Sequence, residues 1–117
     1  MKRLILAIAI ASMSLTVAPA FAHTSVRETS IVENASLATS PQNFTVSFSS
    51  PTALANVTLT DASGQLVALD YTPSHTMATS FTIPLPRLAP GAYTLAWRTM
   101  AHDGHAMPGA IHFTITG

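Results

Sequence analysis

The sequence predicts an all-β sandwich of seven short strands, and three observations carry that expectation. From Asn43 onward, apolar residues recur at every second position, which places one face of each segment in a core and the other in water. Proline, glycine, serine and aspartate interrupt these runs at spacings of about ten residues, as turns do in a sandwich with an immunoglobulin-like outline. Beyond residue 22, no stretch long enough for a helix carries a helical period.

Six runs satisfy the alternation: Phe44, Val46 and Phe48; Val57 and Leu59; Val67, Leu69 and Tyr71; Phe81, Ile83 and Leu85; Tyr93, Leu95 and Trp97; Ile111, Phe113 and Ile115. Between them stand Ser50-Pro51, Asp61-Ala62-Ser63-Gly64, Pro73-Ser74, the Pro84 to Gly91 stretch, and Gly104 to Gly109, all turn-forming compositions. A seventh, weakly patterned strand is expected at 25–30, with Ile31 and Val32 covering the sandwich end.

Residues 1–22 read as an export signal. Lys2 and Arg3 precede an apolar run from Leu4, and the segment closes on Ala20-Phe21-Ala22, an A-x-A cleavage pattern. Ser12, Ser14, Thr16 and Pro19 interrupt the apolar run, so it falls short of the roughly 20 apolar residues a permanent span needs. The mature chain is expected to be residues 23–117, enough for one domain and too few for two.

Composition narrows the chemistry. The mature chain keeps three arginines and no lysine against five acidic residues, so it has no basic surface for nucleic acid or for an anionic membrane. Cysteine is absent, leaving nitrogen, oxygen and thioether donors for any metal. There is no G-x-S-x-G elbow and no glycine-rich phosphate loop, and nothing nominates a catalytic carboxylate pair.

Two candidates remain. Cleavage after Ala22 would put His23 at the new N-terminus, where its α-amine and ring Nδ1 can close a chelate on one metal ion; an amine with a pKa of about 7.7 to 8 loses its proton to a metal near neutral pH. On its own, that position does not distinguish a ligand from a histidine left by chance at a chain end. The second candidate is Asp103-Gly104-His105. In an extended stretch its two side chains point the same way, and glycine lets a ligand approach closely. The same residues also suit a polar loop whose aspartate caps its own turn, and spacing leaves both readings open. Joined, the candidates offer an amine, two imidazoles and a carboxylate, which suit tetragonal Cu(II) and leave tetrahedral Zn(II) possible. His75, Met77, His102, Met100, Met107 and His112 read more simply as loop, rim or exposed strand residues.

These features together resemble the CopC family of periplasmic copper-binding proteins. The likeness rests on the Ala22/His23 junction, Phe44 to Pro51, Leu88-Ala89-Pro90-Gly91, Tyr93 to Arg98, and Asp103-Gly104-His105 followed by Gly109 and a final apolar strand. It implies a Greek-key sandwich or barrel that is periplasmic, monomeric and not an enzyme. It also implies one Cu(II) per chain on His23, Asp103 and His105. The implied role is a copper carrier or buffer in resistance and homeostasis, often beside an inner-membrane copper transport protein. Some members carry an acidic residue where this chain has Ser50, and some a methionine-rich loop for Cu(I) where it has only His75 and Met77. A Cu(II)-only protein is therefore expected. The rival readings are a metal-free immunoglobulin-like accessory module and an oxidative copper enzyme.

Overall fold

One strand organises the chain. In the computed structural model, which describes residues 25–117, the strands are β1 (Val26–Thr29), β2 (Ala35–Leu37), β3 (Asn43–Asp61), β4 (Leu66–Val67), β5 (Ala78–Pro84), β6 (Gly91–Met100) and β7 (Ala106–Ile115), with no helix among the described residues. The 19-residue β3 pairs antiparallel with β1 and β5 along its first half and with β6 and β4 along its second. β7 continues the sheet beyond β6, and β2 closes it as a parallel neighbour of β7. Because β3 serves both halves, the sheet curls over its own inner face.

The all-β, seven-stranded expectation holds, and its differences have physical causes. Phe44 to Phe48 and Val57 to Leu59, expected as separate strands, are two halves of β3, and Ser50-Pro51, expected as a turn, lies within it. The register slips between Ser47 and Thr52 against β5, and between Leu54 and Asn56 against β6. The second slip adds a residue, as a β-bulge does. Inward residues accordingly change from even (Phe44, Val46, Phe48, Leu54) to odd (Leu59), a change of phase that imitates a strand break. Pro51 is tolerated because it falls within the first slip, where no partner on β5 is in register. The run at Val67, Leu69 and Tyr71 yields only the two-residue β4; Tyr71 leaves the ladder and donates its hydroxyl to the Leu54 carbonyl at 3.0 Å. β2 lies outside the predicted runs. Ile31 is buried, as a residue covering the end should be, whereas Val32 is exposed.

The core fills the curl. Phe44 from the first half of β3 meets Trp97 of β6 with ring centroids 5.7 Å apart, and Tyr93 stacks on its cross-strand partner Phe113 at 5.7 Å. Fully burying such a side chain is worth roughly 1.5–3 kcal/mol, which matters in a chain without disulfides. The Tyr93 hydroxyl donates to the Ala89 carbonyl at 2.7 Å, fixing the turn before β6 in the manner of a tyrosine corner.

Gly109 of β7 pairs with Trp97, and a Cβ there would fall inside the indole. The ring is rigid, buried and backed by Phe44, so it cannot yield cheaply. Gly109→Ala should cost about 1–3 kcal/mol as overpacking, seen as a lower denaturation midpoint at unchanged slope with altered emission from Trp97, the single tryptophan. A midpoint equal to the parent's would mean the indole has room to move.

Candidate metal site

β6 and β7 are joined by the five residues 101–105 at one end of the curl. Met100 and Ala106 form the last strand pair. Ala101 N–H then donates to the His105 carbonyl at 2.8 Å, and Gly104 N–H donates to the Ala101 carbonyl at 2.9 Å. Gly104 has φ of +88°, the left-handed conformation that such a loop demands and that favours glycine.

This hairpin brings Asp103 and His105 together by a turn instead of the expected extended stretch. Asp103 Oδ1 accepts the His105 backbone N–H at 3.0 Å, while Oδ2 lies 2.7 Å from His105 Nδ1. The backbone N–H and then the ring of His105 hold the Asp103 carboxyl below its ordinary range, so it is ionised at neutral pH. Both side chains are largely exposed. Asp103 thus caps the local turn, as one sequence reading expects, and also presents a carboxylate against an imidazole.

A second turn separates those roles. Residues 61–65 have the same backbone closure: Asp61 N–H donates to the Gln65 carbonyl and Gly64 N–H to the Asp61 carbonyl, both at 3.0 Å, with Gly64 at φ +83°. There the aspartate holds the first position and spends Oδ1 on Ser63 and Gln65. In 101–105 the first position is Ala101, and the loop closes without such a cap. Asp103 stands at the third position instead, where Oδ1 accepts the His105 N–H and the second oxygen is directed to the imidazole.

The start of β1 lies at the same end. Ser25 N–H donates to Ser49 Oγ at 3.0 Å, Ser49 N–H donates to the Ser25 carbonyl at 2.9 Å, and Val26 pairs with Phe48. Three residues past Ser49, the buried Thr52 donates its hydroxyl to the Met100 carbonyl at 3.0 Å, and Ala53 pairs with Met100. His23 lies outside the described residues, as does the expected export signal at 1–22. Among the described residues no three His, Asp, Glu or Cys side chains form a metal-holding group; Asp103 and His105 are brought together as a pair.

His75 and His102 are exposed loop residues, and Met77 and Met100 are partly exposed. His112 is an exposed residue of β7, as expected, but it has a partner no local pattern shows. Glu33 Oε1 takes both the His112 backbone N–H at 2.9 Å and ring Nδ1 at 2.8 Å, tying the approach to β2 onto β7.

A family model described as the CopC domain matches residues 26–116. The chain belongs to the CopC family. No curated protein sequence matches it significantly. Among solved structures, this CopC-family chain is similar to CopC from Methylosinus trichosporium OB3b, with TM-score 0.67 and 24% identity over 80% of this chain and 94% of that one. It is also similar to PcoC, a methionine-rich copper resistance protein from Escherichia coli, with TM-score 0.63 and 25% identity over 81% of this chain and all of that one.

The Glu33–His112 pair gives the CopC-family fold a measurable acid limb. Partial desolvation pushes the Glu33 carboxyl up, but the hydrogen bonds from the His112 ring and backbone outweigh it and leave the group below its ordinary 4.5. A depressed acid stabilises fully above its unfolded value and loses that contribution as pH falls through the folded one. The carboxyl resonance of Glu33 should titrate with a midpoint below 4.5 and move back upward in His112→Ala, which removes the ring but keeps the backbone donor. A parent midpoint at or above 4.5 would contradict this pairing.

Proposed function

We propose that this CopC-family chain is an exported, periplasmic Cu(II)-binding protein acting as a carrier or buffer in copper resistance and homeostasis. It binds one ion per chain through His23, Asp103 and His105. The observation that carries this reading is the 2.7 Å approach of Asp103 Oδ2 to His105 Nδ1 on an exposed hairpin at the end where β1 begins. Adjacent donors at right angles around an ion with bonds of about 2.0 Å are about 2.8 Å apart, whereas tetrahedral donors are about 3.3 Å apart. Asp103 and His105 already stand near the first of these separations, so both can take one ion lying to one side of the line between them once the proton they share is lost. His23 precedes Ser25 by two residues and can stand no more than about 7 Å from it along the chain. The likeness to the copper resistance protein of E. coli supports the same cargo.

Processing gates this site. Before cleavage, residue 23 contributes an amide nitrogen where the mature chain has an amine, so the two-nitrogen chelate forms only after export. No thiolate or thioether enters the ligand set, so reduction to Cu(I) weakens binding and offers a route to hand the ion to an inner-membrane copper transport protein. Four protein donors with a carboxylate among them suit holding an ion better than activating oxygen, and the chain acts as a monomeric binding protein with no catalytic role.

Two measurements test this. A variant chain keeping one extra residue before His23 should bind Cu(II) at least tenfold more weakly than the processed chain in a chelator competition; equal affinity would remove His23 from the ligand set. Affinity should also fall steadily from pH 8 to pH 4, because the amine and the two imidazoles compete with protons for the ion. A flat profile would exclude these ligands.

A further inference from the structure

We propose that Ser49 is the positioning residue of the copper clasp, its hydroxyl fixing the chain two residues from His23 so that the N-terminal donors meet the hairpin pre-organised. This rests on the reading of His23, Asp103 and His105 as ligands.

β1 is a weak hold by itself. It has four residues, and its pairing with β3 slips between Val26 and Glu28. Where the ladder ends, Ser49 provides what a backbone alone does not. Its N–H donates to the Ser25 carbonyl at 2.9 Å, as any residue's would. Its Oγ also accepts the Ser25 N–H at 3.0 Å and lies 3.3 Å from Ser25 Oγ. The Ser25 amide is therefore held by a side chain, which substitution can remove without changing the strand.

The same strand anchors the other half of the clasp. Thr52, three residues along, holds the Met100 carbonyl at 3.0 Å, one residue before the loop that carries Asp103 and His105. Two hydroxyls on one stretch of β3 thus tie the arm and the hairpin to a common support. Without Ser49, the arm would sample more positions, and its donors would reach the hairpin at lower effective concentration.

The test uses the processed protein with His23 as its first residue. Ser49→Ala should weaken Cu(II) binding roughly three- to tenfold, the factor that corresponds to the net worth of one hydrogen bond, and should speed hydrogen exchange at the Ser25 amide. The Cu(II) resonance spectrum should stay unchanged, because every ligand remains. Ser49→Thr, which keeps a hydroxyl, should restore both affinity and protection. The proposal is overturned if Ser49→Ala binds as tightly as the parent while His105→Ala abolishes binding, an outcome that would leave the copper reading standing. It is also overturned if affinity is lost in Ser49→Ala and not restored by Ser49→Thr, which would mark a packing role. Unchanged binding in His105→Ala would instead remove the copper reading on which the proposal rests.

Discussion

β3 turns the corner between the two halves of the sheet, and nearly every other feature of the molecule hangs from that corner. A strand that pairs with β1 and β5 on one stretch and with β6 and β4 on the next cannot stay flat; the two register slips let it bend and exchange its inward face. The bend gathers the start of β1, the start of β5 and the β6–β7 hairpin around residues 49–54. Thr52 marks the cost of that arrangement. Its side chain is completely buried, and the polar group is tolerated there because its hydroxyl reaches the Met100 carbonyl.

The hairpin at this corner is built economically. The same five-residue turn occurs twice, each closed by a left-handed glycine and the same pair of backbone bonds. At 61–65 the aspartate is consumed in capping. At 101–105 it has moved two positions, so one oxygen still serves the backbone while the other faces an imidazole. The two turns share a backbone and differ in what they carry: the second sets its carboxylate two positions later and has His105 where the first has Gln65. The family assignment gives that placement its context, because the matched region includes the whole hairpin.

The sequence disclosed what depends on local pattern and hid what depends on distant pairing. Alternation made Phe44, Leu95, Trp97 and Phe113 legible as core, and the spacing of Asp103-Gly104-His105 marked a polar turn. Continuity of β3 was not legible, since a bulge breaks the period and Pro51 looks like punctuation. β2 was hidden because three residues paired in parallel with β7 are too few to show a period. The Glu33–His112 contact and the Ser25–Ser49 hydrogen bonds join residues far apart in the chain, and their residue types carry no signal until the fold brings them together. The hairpin's conformation was half legible: glycine announced a turn, while the extended geometry expected around it gave way to a tight loop that brings the two donors closer.

The central claim is that an N-terminal histidine and the hairpin together hold one Cu(II). Pulsed paramagnetic resonance on the processed protein with one equivalent of Cu(II) tests it most directly, because coupling to remote imidazole nitrogens counts the histidines bound. The account predicts a single tetragonal species with two coordinated imidazoles, falling to one in His105→Ala. A spectrum with no imidazole coupling, or with a count unchanged by that substitution, would contradict it.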